Sequence, residues 1–509
     1  MKSTIITAII KQGLWILLLS GSLVSCNKDL GNYQYTEVNK VDTLFGLNDT
    51  LAIYNSQLKI KPVLRFTLDQ SVKPEDFSYE WMYMKEKDQD KKVIISTDKE
   101  LDYKVVLTPG NYLMFYAVKS KSTGIEQRFS FNLQVANQYN EGWMLLTEVE
   151  GKARLDMISL NYDKRKFEVT QNILKVAESP LVLAGKPKSI YGYNAGSLPT
   201  LGASFNYAFY INTTEDGYRI DPNTFNWQEN YTLSKEMIGG KPHTSAEIII
   251  RNGYNRAYMV NDEDIYLYDQ RNQVPFGAPI NRISQKNQHF KVAPFIVSNE
   301  TSNVGSASIF FDKTYKRFVK HVGIATSCTE IPDPTTDKLF SFQIDMDLCY
   351  MTRSEFNNAE AFSVLEDPIS KKRYIARFNP ISNNQSYFDE IHVPNIEKAT
   401  NFAVNSLYGY LFFSIDSKVY EYDLVLRKAK LMLDYGTHKI SLLKFQVYHN
   451  SVKYPDRNDL IVCSYDPSKP AAGQGKMEIY SVPGLNESLI LKASYADIGK
   501  VHSLFYRER

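Results

Sequence analysis

One short phrase recurs along the C-terminal two-thirds of the chain, and it limits the fold more than any other feature. Apolar and polar residues alternate and an aspartate closes the run. "GYRID" ends at Asp221, "IYLYD" at Asp269 and "VYEYD" at Asp423. The first two ends lie 48 residues apart and the next interval is 154. Three repeats of about 50 residues fit that longer interval, and several short strands per unit at such a period are a propeller signature. "LDMISL" (155–160) and "MEIYS" (477–481) are weaker copies. A single blade cannot bury both faces of its sheet, whereas a ring of blades buries them and protects the edges. Units begin near Trp143, Ser189, Tyr254, Asn303, Ala359, Phe402 and Asn458. The spacing therefore predicts a β-propeller over 143–509 with seven blades. Six or eight blades, or a run of β-sandwiches, are the alternatives.

The preceding block, residues 44–136, reads as a separate small sandwich. "LAIYNSQLKIKPVLRFTL" alternates as half-buried strands do, and "FSYEWMYM" (77–84) is aromatic and strand-like. Two further strands flank a turn at Ser120–Gly124. Trp81 is expected to pack the sandwich core. Residues 137–142 read as a linker. The chain holds 35 Tyr and 27 Phe against 4 Trp, a bias that suits pleated surfaces. The fold class expected is all-β: an N-terminal immunoglobulin- or PKD-like sandwich, then a propeller-like domain.

The N-terminus reads as an export signal. Lys2 and Lys11 are basic, Leu14–Leu19 is an apolar run, and small residues lead into Leu23-Val24-Ser25-Cys26. That run is too short to span a bilayer, which takes about 20 residues. Residues 27–43 turn polar at once and read as a tether. Without residues 1–26 the chain has 57 basic and 57 acidic residues. A neutral balance gives no basic face for nucleic acid.

Searches for reactive constellations return little. The seven histidines are scattered and no HExxH, GxSxG or P-loop occurs. Beyond Cys26 stand only Cys328, Cys349 and Cys463; the first two are a candidate disulfide, with buried free thiols as the alternative. No CxxC or Cys/His cluster implies zinc. Asp262-Glu263-Asp264 reads as a hairpin turn, with calcium as the rival reading. Asp345 and Asp347 in "DMDLCY" would share one strand face. No cofactor or metal ligand is assigned. Candidate ligand contacts are Trp227 in "FNWQENY" and Tyr191 and Tyr193 in "SIYGYNAG", aromatic residues whose polar or glycine-containing flanks suit loops. Packing at the core edge is the plainer role for all three.

Two resemblances extend this reading. Leu-Val-Ser-Cys resembles a bacterial lipobox, which implies cleavage of residues 1–25 and a lipid on Cys26. Lys28-Asp29 partly resembles the export signal of surface lipoproteins. "CNKDLGNYQYTEVNKV" and the block that follows resemble the PKD-like lipoproteins of Gram-negative bacteria, the likeness covering Cys26–Val135. It implies an outer-membrane lipoprotein facing the exterior, an accessory to a SusC/SusD-type nutrient uptake system. The implied partners are a SusC-like transporter barrel and a SusD-like lipoprotein. The implied ligand is an oligosaccharide or a peptide, and the implied role is non-enzymatic. A propeller glycan hydrolase or lyase, and a protein-binding adhesin, are the rivals.

Overall fold

The run Trp143-Met144-Leu145-Leu146 is buried at every position, which a strand tolerates only when both faces of its sheet are covered. The computed structural model shows what covers them. It describes residues 37–85, 88–161, 164–239, 241–253, 256–270, 276–301 and 307–508. Cys26 and the expected signal lie outside these residues. Among the described residues the regular structure is mainly antiparallel strands, with short helical turns between them, as the all-β expectation requires.

Among the described residues, seven sheets of three or four strands follow one another from Gly142 to Arg507, with a two-stranded ribbon, Arg282–Ile283 against Gln288–His289, between the third and the fourth. The first is ordered Lys166–Thr170, Lys152–Asn161, Gly142–Val149, Lys500–Arg507. The second holds Pro187–Asn194, Tyr207–Thr213 and Gly217–Ile220, and the third Ile248–Arg251, Arg256–Asn261 and Asp264–Asp269. The fourth holds Ser308–Asp312, Arg317–His321 and Thr329–Glu330, with Val297 bridged to Ile309 on its inner side. The fifth starts at Asp347–Ser354, the sixth at Phe402–Val404 and the seventh at Lys439–Phe445, each with four strands.

An apolar cluster fills each gap between successive sheets. Met144 and Leu146 pack with Phe209 and Ile211 between sheets one and two. Their neighbours Trp143 and Leu145 point the other way, onto Cys463 and Met477 of sheet seven. Comparable clusters join sheets two to three, three to four, four to five, five to six and six to seven. The series closes because Lys500–Arg507 pairs with Gly142–Val149, from Gly142 against Arg507 to Glu148 against Lys500. The C-terminal strand is the innermost strand of the first sheet. The domain is a seven-bladed propeller. Gly142 opens the joint at φ 141°, and a Cβ there would stand 2.1 Å from the Ile158 carbonyl oxygen, so only glycine fits.

All five recurring phrases fall on the third strand of a blade, counted from the axis. Asp423 is a turn former: its carboxylate accepts the N–H groups of Val425 and Leu426 at 2.8 and 2.9 Å. Asp221 likewise accepts the Asn223 N–H at 2.8 Å, the Asx-turn chemistry that closes tight connections. Asp269 instead faces Arg256 across the hairpin at 3.4 Å. Three units start earlier than expected, the third at Ile248 ahead of Tyr254. The fifth sheet begins at Asp347, ahead of Ala359, and the seventh at Lys439, ahead of Asn458.

The chain divides into two compact units. The smaller comprises residues up to Thr50, Leu58–Tyr103 and Tyr112–Asn132; the larger comprises Leu51–Gln57, Lys104–Asn111 and Leu133–Arg509. In the smaller unit Phe77–Lys85 pairs with Gly110–Ser120, Trp81 opposite Tyr116. Trp81 is fully buried, 4.3 Å from the Tyr116 ring, and its indole N–H donates to the Asp98 carbonyl at 2.9 Å. It is core, as its sequence context implies. Cys328, Cys349 and Cys463 are free thiols.

Two predictions follow from the ring. A chain ending at Gly499 loses the buried side chains of Val501, Leu504, Phe505 and Tyr506. Each contributes about 1.5–3 kcal/mol, so limited proteolysis should leave no resistant fragment spanning 143–499. The second concerns Glu421 on the third strand of sheet six, which is 1% exposed with no hydrogen-bond partner on either oxygen among the described residues. Burial raises its pKa from 4.5 to about 7, against the pull of Lys430. The unfolded chain releases this proton at lower pH than the folded chain. Stability therefore falls by about 1.4 kcal/mol per pH unit between those values, roughly 3 kcal/mol in all. Glu421→Gln should remove that loss, raising stability above pH 7 in denaturant titrations and leaving it little changed near pH 4.

Candidate functional site

Several innermost strands end in charged residues. Arg251 closes the apolar strand "IIIR" of sheet three, and Arg353 lies one residue from the end of the inner strand of sheet five. Glu300 follows the inner segment of sheet four, and Lys444 and His449 lie at the end of the inner strand of sheet seven and just beyond it. Tyr191 stands on the inner strand of sheet two. An apolar strand that turns from its neighbours into solvent must end in polar residues, so these positions are where a propeller places polar side chains.

Contacts bring these ends together. The Tyr191 hydroxyl donates to the Glu300 carboxylate at 2.6 Å and accepts the main-chain N–H of Arg251 at 3.3 Å. The Arg251 guanidinium donates to the Gly253 carbonyl at 2.8 Å and meets His449 Nδ1 at 2.9 Å. Arg353 donates to Asn299 at 2.9 Å and pairs with Glu355 at 2.8 Å. Lys444 donates to the Leu504 carbonyl at 2.8 Å. Glu508, after the closing strand, accepts the main-chain N–H groups of His449 and Asn450 at 2.7 and 2.9 Å. Six of the seven blades thus contribute to one polar mouth.

The electrostatics follow from crowding. Burial raises Glu300 above the ordinary carboxylate range, while the Tyr191 hydrogen bond, Lys444, Arg353 and Arg251 pull it down. Burial also lifts Tyr191, and the Glu300 charge lifts it further. Lys444 is pushed down to about 8 by burial, with Glu300 opposing. His449 is pushed down to about 4 by burial and by Arg251, so it is neutral at pH 7. Its Nδ1 can then accept a hydrogen bond from the Arg251 guanidinium. Tyr191, Glu300, Arg353, Lys444 and His449 are each partly buried. Such a mouth can hold a polar ligand through charge-assisted hydrogen bonds.

Of the aromatic candidates, only Tyr191 reaches this mouth, through its hydroxyl. Its ring packs 5.2 Å from Phe505. Tyr193 is 2% exposed and stacks on Tyr210 at 5.6 Å between sheets two and three. It has no loop exposure, because its glycine-containing surroundings form a strand. Of its two expected roles, Tyr193 takes the plainer one, core packing, and its buried ring is not available to a ligand. Trp227 is half-buried and packs edge-on to Tyr218 at 5.9 Å, at the edge of the cluster between sheets one and two.

The acidic sequences resolve into turns. Asp262 and Glu263 have φ of 52° and 64° in a hairpin. Lys241 holds Asp262 at 2.7 Å, and Lys291 and Lys313 hold Glu263 at 2.5 and 2.6 Å. Asp345 has a φ of 55° and precedes the strand that begins at Asp347, so the two do not share a strand face as expected. Arg251, Glu300, Arg353, Lys444 and His449 were not singled out in the sequence. The available signal is a charged residue at the end of an inner strand, visible once blade boundaries are known.

Comparisons place the chain among known proteins only broadly. A quinonprotein alcohol dehydrogenase-like protein from Bacteroides thetaiotaomicron aligns at 13% identity over 93% of this chain and 100% of its own, with a TM-score of 0.40. A protein from Lactobacillus plantarum aligns at 9% identity over 72% and 100%, TM-score 0.43. The β-propeller domain of Cps50 (Swd1) from Myceliophteria thermophila aligns at 8% over 66% and 96%, TM-score 0.40. No curated protein matches the sequence. Residues 26–187 match the model of the PKD-like family. That span starts at Cys26 and ends where the second propeller sheet begins.

The mouth makes one stability prediction. Tyr191→Phe keeps the ring packing and removes the donor to Glu300. Losing this hydrogen bond to the partly buried carboxylate costs about 1–3 kcal/mol, readable as a lower denaturant midpoint with an unchanged m-value.

Proposed function

We propose that the chain is an outer-membrane lipoprotein, anchored through Cys26 and facing the cell exterior, that binds a ligand for a SusC/SusD-type uptake complex without transforming it. The observation that carries the ligand-binding role is the axial mouth, where six blades converge on a partly open set of donors and acceptors. The anchor is supported by the start of the family match at the same cysteine that ends the lipobox-like sequence. Among the described residues no helix is long and apolar enough to cross a membrane; in this reading acyl chains hold the protein, contributing roughly 0.8 kcal/mol per buried CH₂.

A non-enzymatic role suits the mouth. Glycoside hydrolysis by the usual route needs two carboxylates flanking the bond. Glu300 is bound to Tyr191, and both oxygens of Glu508 are engaged by main-chain N–H groups. We assign no cofactor. The ligand in this reading is an oligosaccharide or peptide handed to a transporter barrel under a lid lipoprotein.

The test is recovery of the tagged protein from outer membranes in mild detergent. A transporter barrel and a SusD-like lipoprotein in stoichiometric amounts are expected, and recovery of the protein alone would contradict the role. For the anchor, Cys26→Ala should abolish palmitate labelling and release the protein from the membrane fraction. Retained labelling would contradict lipidation there.

A further inference from the structure

A cavity of about 320 Å³ lies where connections of sheets five and six meet, and it shares no lining residue with the axial mouth. Phe356 stands between the first and second strands of sheet five, and Leu407–Tyr410 between those of sheet six. Leu424 and Val425 follow the third strand of sheet six. In an antiparallel blade these connections share one face of the ring.

Two turns build the rim. Asn405 accepts the N–H groups of Leu407 and Tyr408 at 2.9 and 2.7 Å, and Asp423 holds Val425 and Leu426 in the same way. Such turns normally carry polar tips. Here Leu407, Val425 and Leu426 are exposed, Val425 by 88%, and exposed apolar groups clustered around a cavity mark a contact site. Gly409 has a φ of 73°, and a Cβ there would stand 2.8 Å from the Phe356 ring, so the sheet-six turn rests directly on that ring. Tyr408 stacks on Tyr410 at 5.3 Å and is 37% exposed.

Arg377 supplies the polar part of the lining. It is 8% exposed, and its guanidinium lies 4.9 and 4.8 Å from the centres of the Phe356 and Phe362 rings. Its Nε and Nη2 donate to Glu360 at 2.9 and 2.6 Å, which balances the charge. Nη1 makes no hydrogen bond among the described residues and is not sealed from solvent. Asp423, the other charged residue of the lining, spends one oxygen on its turn and the other on Asn486 at 3.0 Å.

The cavity therefore offers apolar walls and a fixed donor without unbalanced charge. An anion would meet a cation already paired. A purely apolar side chain would cover Nη1 and give it no acceptor, which is costly. A pyranose ring meets both conditions, because its C–H face packs on an aromatic ring and its hydroxyl oxygens accept hydrogen bonds. Small-ligand sites begin at roughly 300 Å³, so the space suffices.

We propose that this cavity binds a neutral sugar residue of an oligosaccharide, with the Tyr408 ring as its stacking platform and Arg377 Nη1 as donor to a hydroxyl. The lining is distinct from the axial mouth, so the inference does not rest on the uptake reading.

The experiment is isothermal titration of the purified chain at pH 7 with cellotriose, maltotriose, mannotriose and xylotriose, and with acetyl-dileucine amide. Saturable binding of at least one trisaccharide is expected, insensitive to salt. Tyr408→Ala should weaken it at least tenfold. Arg377→Lys keeps a cation beside Glu360 but removes the second terminal nitrogen, and should weaken it severalfold. Circular dichroism melting separates lost binding from lost fold, and Tyr408→Ala, on an exposed turn, decides the matter if Arg377→Lys melts early. Failure of all four trisaccharides to bind would overturn the proposal, as would binding that Tyr408→Ala leaves unchanged. Trisaccharide binding reduced by Tyr191→Phe alone would put the sugar in the axial mouth and overturn this site. Binding of the dileucine amide alone would make this face a protein-docking surface and overturn the sugar. Recovery without a transporter barrel contradicts the uptake role and leaves these isotherms unaffected.

Discussion

The pairing of Lys500–Arg507 with Gly142–Val149 holds the larger unit together. Six gaps between blades are closed by residues near in sequence, but the seventh joins the two ends of the domain. Without that strand the first sheet has an unpaired inner edge, and Trp143 and Leu145 lose Val501, Leu504 and Tyr506 from their cluster. Open edges invite pairing with other chains, so closure serves solubility as well as stability. The cost is slow topology, because the joining residues lie hundreds of positions apart and loop-closure entropy comes before the contacts reward it.

The same closure places the polar mouth. Glu508 and Leu504 belong to the C-terminal segment, and they bind the His449 turn and the Lys444 ammonium. The mouth is therefore completed only when the ring is. Gly142 and Thr147 mark how tight the joint is: the first admits no Cβ, and the second donates from its hydroxyl to Asp156, whose carboxylate also accepts the Gly499 N–H.

Much of the fold was legible because it is periodic. The phrases ending at Asp221, Asp269 and Asp423 mark third strands, and their strand-like sequence and closing aspartate, a turn former at Asp221 and Asp423, are local properties. Trp81 was legible for the same reason. The starts of sheets five and seven were not, because their third strands, "RYIARF" and "GKMEIYS", lack that closing aspartate. The closing strand was invisible for a different reason, since its partner is remote and nothing in "KVHSLFYR" names it.

The site was legible in only one residue. Tyr191 was chosen as an exposed aromatic, yet its ring is packed and its hydroxyl does the work. Tyr193, two residues on, alternates to the other face and is buried. Arg251, Glu300, Arg353 and Lys444 are single charges spread over nearly 200 residues, and only the ring makes them neighbours. The most direct test of the account is hydrogen exchange of the full chain. Amides of Lys500–Arg507 should exchange as slowly as those of Gly142–Val149 and open together with them. Fast exchange of the C-terminal strand beside a protected Gly142–Val149 would contradict the closed ring.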